Sequence, residues 1–573
     1  MSDSFFIVAV DFGTSYSGYC FCVQSNLDDV RMVYWGHEVG LKTSKTPTCV
    51  LLDEHGEFLK FGYEAVMTYT RMGRGESARK LYFNNFKMQL YNKEINRDLM
   101  VTAANGRPFR AMKVFSESLR YLKDHALSTI GEHTSGKEFI ASDVTWVLTV
   151  PAIWTAAAKQ FMREAAVQAG LVSDFHSNQL IVALEPEAAS VWCKHLPSEG
   201  FVAEGASQDN RLEQSPGTQY VVVDCGGGTI DITVHEVLES GSLKELLKAS
   251  GGDMGGETVT KKYLSFLRDL FTPETWDQYE KENPSEVQKM IYDFTVQKCV
   301  GEDGDIFIQC PYNLAMLAGS KQDMSRYFQG VQGVFWLDGT FKVTYSKLRS
   351  FFEESVQKVT ILIQNITSNP EINVEFILLV GGYASCKILQ KKIREHFSSR
   401  CKVLCPVDAQ LAIVKGAVLF GNDPKIMASR VSALTYGIDI ARSFDESKHK
   451  KEKRRVNKKG DYVYCEDIFL TMVQNGQSVN CDEVSHYDYY PIDDDQTAMR
   501  FRFYSTERLN PMYVDECGVK KIGSFVVPMP DTTQGRQRRV RVDIKFGSTE
   551  IQAAATDLTS NETRSIRLDF LTK

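Results

Sequence analysis

Two segments of the chain place a carboxylate and a glycine turn at the end of an apolar strand. The first reads FFIVAVDFGTSYSGYCFCV at residues 5–23, and the second reads YVVVDCGGGTIDITVHEV at residues 220–237. Each strand ends on an aspartate, Asp11 in the first segment and Asp224 in the second. The glycines that follow permit a tight turn, which brings backbone N–H groups close to an anion. The pattern is typical of a phosphate site.

Hydroxyl groups stand in the same two turns. Thr14 and Ser15 follow the first aspartate, and Thr229 follows the second. A carboxylate beside a phosphate requires a divalent cation between them. One such turn is weak evidence because glycine turns after strands are common, but two in one chain, with LLVGG at residues 378–382 downstream, are more specific. We therefore predict two hairpins that face each other across a nucleotide–metal complex.

Apolar strands and helices alternate around these segments. Val144–Val150 and Leu180–Leu184 are predicted strands, and Thr155 is a predicted cap for the helix AAAKQFMREAAVQAG. Phe376–Val380 is a third predicted strand, and a helix KILQKKIREHF follows it. Strands that alternate with helices over about 400 residues predict an α/β architecture.

The pattern changes after about residue 425. VRVDIKFG at residues 540–547 alternates inward Val540 and Val542 with outward Arg541 and Asp543, and other short segments behave similarly. This pattern predicts a small antiparallel β-sandwich. No helical segment follows it before Lys573, so we expect no helical lid. The predicted domains are residues 1–425 and residues 426–573.

Composition limits the classes of function. The chain has 573 residues, a formal net charge of -7 and 43% hydrophobic residues, which gives no electrostatic reason to expect a nucleic-acid partner. No apolar run approaches the roughly 20 residues of a membrane span. The 13 cysteines are scattered, and no signal peptide precedes the first strand. We expect a cytoplasmic protein, with the nucleus as a second compartment.

Competing motifs are weaker. GEHTSGK at residues 131–137 has the spacing of a Walker A loop, but Glu138 follows where Ser or Thr should hold magnesium. The letters DFG at residues 11–13 lack the other kinase motifs. The basic run at residues 449–459 is read as a solvated loop, with an acidic partner or membrane surface as the alternative.

The ordered motifs resemble the actin-like ATPase superfamily, and within it the 70-kDa heat-shock, or DnaK-type, family. The resemblance is carried by DFGTSYSG, TVPAIWTAAAKQFMREAAVQAGL, LEPEAAS, VVVDCGGGTIDIT, SGGDMGGE, LLVGGYAS and VKGAVLFG. It covers residues 1 to about 425 well and the rest more loosely, and it is nearest to the divergent heat shock 70 kDa protein 12 branch. The fold implied is a two-lobed ATPase domain of duplicated ribonuclease-H-like folds, followed by the β-sandwich.

The resemblance also implies a role for each matched residue. Asp11 and Asp224 would hold Mg²⁺ through water. The phosphates of ATP or ADP would be held by Gly13, Thr14, Ser15, Tyr16, Gly226, Gly227, Gly228 and Thr229. The adenosine would be bordered by Gly255, Gly256, Glu257, Lys298, Gly381, Gly382 and Tyr383.

Two further residues complete the implied catalytic set. Glu185 in EPEAA matches the hinge carboxylate near metal and water, and Lys87 in FNNFKMQL matches the lysine that supports the attacking water. Other interpretations stay open, because Glu185 also suits a helix N-terminus and Lys87 also suits a solvated amphipathic stretch. Where the family stacks two arginines on adenine, this chain has Cys299 and Ser385, which predicts weaker nucleotide retention.

Three functions follow from these features. The first is a chaperone-type ATPase that binds client or partner proteins through the β-sandwich. The second is a nucleotide-sensing scaffold with weak or no hydrolysis. A small-molecule kinase of the same superfamily ranks third, because the C-terminal β-sandwich argues against it.

Overall fold

A computed structural model describes residues 4–202, 211–300, 304–560, 562–566 and 569–571. The first lobe contains eleven strands in its described residues: β1 (Phe6–Phe12), β2 (Tyr16–Val23), β3 (Asn26–Met32), β4 (Thr46–Pro47), β5 (Val50–Leu52), β6 (Phe58–Phe61), β7 (Leu81–Phe83), β8 (Met100–Thr102), β9 (Pro108–Arg110), β10 (Val144–Val150) and β11 (Leu180–Leu184). Its helices are α1 (Gly62–Thr70), α2 (Arg74–Ser77), α3 (Ala111–His133), α4 (Ala156–Gln168) and α5 (Glu185–Lys194).

The second lobe follows in the chain. Its strands are β12 (Gln219–Cys225), β13 (Ile230–Val237), β14 (Leu243–Gly252), β15 (Ile306–Gln309), β16 (Val334–Leu337), β17 (Thr340–Val343), β18 (Val374–Val380) and β19 (Lys402–Leu404). Its helices are α6 (Gly256–Leu270), α7 (Pro273–Glu282), α8 (Pro284–Val300), α9 (Tyr312–Lys321), α10 (Met324–Phe328), α11 (Tyr345–Thr367), α12 (Lys387–Phe397) and α13 (Ala412–Asn422).

The C-terminal part consists of strands and short turns in its described residues. The strands are β20 (Met427–Val431), β21 (Thr435–Ser443), β22 (Arg454–Val456), β23 (Val463–Val473), β24 (Ser478–Asn480), β25 (Ser485–Tyr489), β26 (Ala498–Thr506), β27 (Lys520–Pro528), β28 (Val540–Lys545), β29 (Gln552–Asp557) and β30 (Glu562–Ile566).

The two lobes repeat one sheet pattern. In the first lobe the order is β11-β10-β1-β2-β3, with β1 parallel to β10 and antiparallel to β2. In the second lobe the order is β19-β18-β12-β13-β14, with β12 parallel to β18 and antiparallel to β13. Each lobe therefore has a central hairpin beside a parallel strand, and the predicted two-lobed α/β fold is confirmed.

Burial explains why these segments form central strands. All seven residues of β1 and of β10 are buried, which suits a sheet covered by helices on both faces. Helix α4 begins where predicted, because the Thr155 side chain accepts a hydrogen bond from Ala158 N. Segment 131–137 lies at the end of α3 and precedes β10, so it lacks the strand–loop–helix order of a Walker A loop.

Helices α5 and α13 pack against each other between the lobes. A Cβ atom on Gly416 of α13 would lie 1.7 Å from the carbonyl oxygen of Ala188 in α5. Only glycine allows this backbone approach. Their core also receives apolar side chains from both central sheets, including Ala9 and Val222. The lobes are therefore joined by a shared apolar contact.

Two antiparallel sheets form most of the C-terminal part. Their orders are β22-β23-β21-β26-β27 and β25-β28-β29-β30, and their inward side chains make one apolar cluster. In β28, Val540, Val542 and Ile544 are buried while the alternate residues are half-buried, as the alternation predicts. Strand β20 pairs with β14, so the second lobe's sheet continues past residue 425.

Ion pairs hold the C-terminal sheets against the first lobe. Arg163 of α4 contacts Glu550 at 2.6 Å, and Arg97 contacts Asp569 at 2.9 Å. Leu571 is buried in the apolar core of the first lobe. Between these sheets and the lobes lies a cavity of about 1370 Å³. The described residues contain no helix that is long and apolar enough to cross a bilayer.

The basic run at residues 449–459 is largely neutralised within the C-terminal part. Lys453 contacts both Asp467 and Asp515, at 2.9 and 2.6 Å. Lys458 contacts Asp495 at 3.0 Å, and Arg455 pairs with Glu466. The run therefore contains a short helical turn and strand β22 rather than a solvated loop alone, and Lys453 is buried among its acidic partners.

Candidate functional site

The two predicted hairpins meet in the cleft between the lobes. A Cβ atom on Gly227 would lie 2.2 Å from Ser15 Oγ, and one on Gly228 would lie 2.6 Å from Thr14 Oγ1. The turn of the β12–β13 hairpin is closed by a hydrogen bond from Gly226 N to the carbonyl of Thr229 at 3.0 Å. Any side chain at Gly227 or Gly228 would collide with the opposite hairpin. The structure thus brings the two phosphate-type turns face to face.

Asp11 lies at the end of β1 with a complete set of partners. Its Oδ2 atom accepts a hydrogen bond from Lys45 Nζ at 2.5 Å, and its Oδ1 atom accepts one from Thr149 Oγ1 at 3.2 Å. The Asp11 residue is 3% exposed, and the Lys45 side chain is 11% exposed. An ion pair this short and this buried neutralises Asp11 from within the protein.

Asp224 lies at the end of β12 and differs sharply from Asp11. It is as buried as Asp11, yet among the described residues no hydrogen-bond partner meets its Oδ1 atom. Burial, followed by the charges of Glu185, Asp231 and Asp11, raises the pKa of Asp224 well above its usual range. A buried carboxylate oxygen without a partner is costly unless a cation or donor meets it.

Gly381 makes room for this carboxylate. Its φ of +89° is in the region that favours glycine, and a Cβ atom there would lie 2.4 Å from Asp224 Oδ1. The segment LLVGG, which the sequence placed beside the adenosine, therefore also shapes the space around Asp224. A side chain at Gly381 would collide with this oxygen of Asp224.

Lys87 and Glu185 form a buried pair. Lys87 Nζ donates to Glu185 Oε1 at 2.8 Å, with side chains 3% and 9% exposed. Lys87 Nζ also lies 5.0 Å from the centroid of the Trp154 ring. Burial raises the pKa of Glu185 although Lys87 opposes the shift. Lys87 is thus not a solvated lysine, and the two residues that the resemblance implied together are in direct contact.

Asp231 stands opposite Asp224 on the neighbouring strand. Its Oδ2 atom accepts a hydrogen bond from Ala152 N in the first lobe. Burial, and then the charge of Glu185, raises the pKa of Asp231 to about 8. Asp231 therefore links the second hairpin to the TVPAIW segment, which agrees with a role in orienting that hairpin.

Glu257 reaches the first hairpin rather than standing apart from it. Its Oε1 atom accepts from Ser15 Oγ at 2.9 Å, and its Oε2 atom accepts from Asn85 Nδ2 at 3.1 Å. Its backbone N–H donates to the carbonyl of Gly227 at 2.7 Å. A Cβ atom on Gly255 would lie 2.5 Å from the same carbonyl oxygen. The structure places Gly255 and Glu257 beside the phosphate turns.

Two of the remaining predicted adenosine residues, Lys298 and Tyr383, lie beside a third, Gly256. Lys298 Nζ donates to the carbonyl of Gly256 at 2.9 Å and to Thr260 Oγ1 at 2.7 Å. The ring of Tyr383 lies 3.6 Å from where a Cβ atom on Gly256 would be, and Tyr383 is buried. Gly382 and Ser385 are exposed. The side chain of Cys299 lies outside the described residues.

Magnesium fits the residues present. Mg²⁺ is commonly held by one or two carboxylates and keeps several of its waters. Asp224 offers a buried oxygen that has no partner among the described residues and could face such an ion or its water. In the described part of the chain no group of three or more His, Cys, Asp or Glu is arranged to hold a metal. Asp224 is the residue that would hold the ion or its water, because both oxygens of Asp11, the other aspartate that the sequence assigns to the metal, already have partners.

The cleft next to the first hairpin is narrow. A cavity of about 50 Å³ is lined by Ser15, Tyr16, Asn85 and Glu257, among other residues.

Three residues near the two hairpins were not predicted from the sequence: Lys45, Asn85 and Thr149. Lys45 lies in a polar loop, KTSKTPT, with no periodicity or motif around it. Thr149 was visible only as the residue before VP in a predicted strand.

Comparison with known proteins gives consistent results along the chain. The sequence profile of a family described as Hsp70 protein matches residues 70–463. Heat shock 70 kDa protein 12A of Mus musculus is 32% identical over 619 residues, which covers 99% of this chain and 91% of that protein. Human heat shock 70 kDa protein 12A gives the same values, and human heat shock 70 kDa protein 12B is 32% identical over 626 residues.

Proposed function

The chain belongs to the Hsp70 family, and from this premise we propose that it is a DnaK-like chaperone-type ATPase. Mg-ATP would lie between the two lobes and be hydrolysed slowly. The C-terminal sheets would form a lidless β-sandwich that binds protein segments. The protein would work in the cytoplasm, with the nucleus as a second compartment. Family membership supports the nucleotide-binding part most directly.

The proposal rests on a difference between Asp11 and Asp224, the two aspartates at the ends of the hairpin strands. Asp224 has a buried oxygen that meets no partner in the part of the chain that the structure describes, and the hydroxyls of Thr14 and Ser15 face the glycine turn next to it. Phosphoryl transfer to water depends on positioning and charge neutralisation more than on covalent chemistry. Magnesium, when bound, would neutralise charge on the phosphates. Hydroxyls, turn amides and one uncompensated carboxylate are the groups that such a ligand needs.

Each residue then has a role in the proposed reaction. The turns at residues 13–16 and 226–229 bind the phosphates through N–H and hydroxyl donors. Lys87 holds Glu185 in place by their ion pair, and the pair supports the attacking water from the hinge side. Asp231 anchors the second hairpin to Ala152, so that Asp224 keeps its orientation.

The proposed client surface is the C-terminal part. Its two sheets share one apolar core, as sheets of a sandwich do. Ion pairs such as Arg163–Glu550 connect it to the lobe that carries Asp11. Closure of the lobes would therefore be transmitted through these contacts to the sheets that bind protein.

A nucleotide-sensing scaffold is the second candidate, and the adenosine end of the cleft favours it. Lys298 donates to the carbonyl of Gly256, and the ring of Tyr383 lies beside Gly256, in the region predicted to border adenosine. With Cys299 and Ser385 where the family stacks two arginines, a base would gain little from this region. Nucleotide would then be held mainly by its phosphates, and weak retention without useful turnover would suit a sensor.

The deciding experiment compares wild type with Asp224→Asn. We expect MgATP to raise the melting temperature of wild type and single-turnover hydrolysis to be measurable, while Asp224→Asn loses hydrolysis. Binding with equally slow hydrolysis in both proteins would favour the scaffold. Absence of any nucleotide-dependent shift and of hydrolysis would contradict both functions. Transfer of phosphate to glycerol or a sugar would favour a kinase.

A further inference from the structure

We propose that Lys45 is a built-in cation of the phosphate site, which neutralises Asp11 and makes nucleotide binding partly independent of Mg²⁺. This inference rests on the proposed function and concerns how that same site holds its ligand. The ligand class is a nucleoside diphosphate or triphosphate, recognised by its phosphates. The two aspartates, which the sequence treats as equivalent, would then differ in role.

The path of the Lys45 side chain is shaped by the sheet. Asp11 of β1 lies opposite Gly18 of β2, and Thr46 of β4 pairs with Ser17 of β2. Lys45 therefore sits beside the point where Asp11 projects. A Cβ atom on Gly18 would lie 3.1 Å from Lys45 Cγ, so the lysine stem crosses β2 where no side chain stands. The ammonium ends 2.5 Å from Asp11 Oδ2.

Neighbouring contacts keep this arrangement in place. Thr149 Oγ1 fixes the other Asp11 oxygen at 3.2 Å. The following residue, Thr46, is buried and is fixed by pairing with β2 and by a hydrogen bond from Tyr63 N at 3.1 Å. The Lys45 backbone is held next to the fixed Thr46, and its ammonium group is held by Asp11. Lys45 is therefore a preorganised charge rather than a mobile surface lysine.

The balance of charge in the cleft supports the division of roles. Asp11 is paired with Lys45 at 2.5 Å, and Glu185 is paired with Lys87 at 2.8 Å. Asp231 accepts a hydrogen bond from Ala152 N. Asp224 is left with one oxygen that meets no partner among the described residues, so the metal would be held chiefly from its side.

Lys45 would then act on the ligand in two ways. It prevents Asp11 from repelling the phosphates in the absence of metal, and it presents an ammonium group next to the turn that binds them. A site that relied on Mg²⁺ alone would lose polyphosphate binding when the metal is chelated. The site that includes Lys45 should keep a measurable part of its affinity for the nucleotide when the metal is chelated.

The test is calorimetric binding of ADP to the full chain, in excess MgCl₂ and in excess EDTA. We expect wild type to bind in both buffers. Lys45→Met should raise the Kd in EDTA about tenfold more than it raises the Kd in MgCl₂, because the metal replaces the lost charge. Lys42→Met, an exposed lysine of the same loop, is the matched control and should behave as wild type in both buffers.

The outcomes separate this inference from the proposed function. Wild-type binding in MgCl₂ but not in EDTA, or an equal effect of Lys45→Met in both buffers, overturns the role of Lys45 and leaves the ATPase proposal intact. Wild-type binding in neither buffer contradicts the proposed function itself. If Lys45→Met does not fold because Asp11 is left unpaired, the double variant Lys45→Met/Asp11→Asn tests the second effect alone: loss of the ammonium should still weaken ADP binding more in EDTA than in MgCl₂, and an equal effect in both buffers overturns the role of Lys45.

Discussion

Glu257 at the start of α6 in the second lobe accepts a hydrogen bond from Ser15 Oγ in the first lobe at 2.9 Å. The other Glu257 oxygen accepts one from Asn85 Nδ2, also in the first lobe, at 3.1 Å. One carboxylate therefore ties the turn at residues 13–16 and the segment before Lys87 to the second lobe. Glu257, Ser15 and Asn85 act as a clasp between the lobes.

The first prediction concerns this clasp. Glu257→Ala removes two hydrogen bonds to a charged acceptor, and each such bond contributes about 1.5–3 kcal/mol at most. We expect faster amide exchange at residues 13–16 and 84–87 and faster nucleotide release, measured by hydrogen-exchange mass spectrometry and stopped flow. Glu274→Ala, an exposed acid on α7, is the control. Unchanged exchange in Glu257→Ala would show that the lobes are held closed without the clasp.

The second prediction concerns the Lys87–Glu185 pair. Lys87→Met leaves a buried carboxylate unpaired, so the free energy of unfolding should fall by about 3–5 kcal/mol. Glu185→Gln in the same chain removes that charge and should restore part of the loss. The measurement is a double-mutant cycle by urea denaturation. Equal and additive losses in the two single variants would mean that the pair is not coupled.

The third prediction concerns the attachment of the C-terminal sheets. Arg163 contacts Glu550 with both its Nε and Nη2 atoms, and the Arg163 side chain is 10% exposed. Glu550→Arg places two positive charges at this contact and should loosen the sheets from the first lobe. We expect a larger radius of gyration by X-ray scattering and faster proteolysis at residues 424–435.

Two control variants test whether the effect of Glu550→Arg is specific to its contact with Arg163. Glu483→Arg, at an exposed position, introduces the same charge change elsewhere and should leave both measurements as in wild type. Arg163→Glu combined with Glu550→Arg restores opposite charges and should recover the compact form. Proteolysis at the wild-type rate in Glu550→Arg would show that the other contacts suffice.

The fourth prediction concerns pH. Glu245 on β14 is 5% exposed, and burial raises its pKa from 4.5 to about 7. Below pH 4.5 both the folded and the unfolded carboxyl are protonated, and between pH 4.5 and 7 only the folded one binds the proton. Stability therefore falls across that window as pH rises, and the cost is complete above pH 7.

Glu245→Gln should remove this cost while keeping an oxygen to accept from Val431 N, as Glu245 Oε2 does at 2.8 Å. We expect it to stabilise the protein by about 1–3 kcal/mol at pH 8, with the gain shrinking towards pH 5. The measurement is denaturant unfolding across pH. Glu239→Gln, an exposed residue after β13, should show no such trend. A pH-independent gain at Glu245 would contradict the assigned cause.

Much of the fold was accessible from the sequence because its signals are local. The apolar strands β1, β10 and β12 were visible as runs, the cap at Thr155 as a residue type before a helix, and the alternation of β28 as period two. The family motifs added the order of the lobes. The continuation of the second lobe's sheet into β20 was not predicted, because the pairing of two strands that are far apart in the chain produces no pattern in the sequence of either strand.

The site divides in the same way. From the sequence alone we could predict that Asp11 and Asp224 end apolar strands, that glycine turns with hydroxyls follow them, and that Glu185 opens a helix. The folded chain adds that Lys45 reaches Asp11, that Glu257 bridges to Ser15, and that one oxygen of Asp224 has no partner among the described residues. These features need the fold because charge balance in a buried cleft depends on which distant side chains arrive there. That arrival is set by strand register and lobe packing, and residue spacing does not encode it.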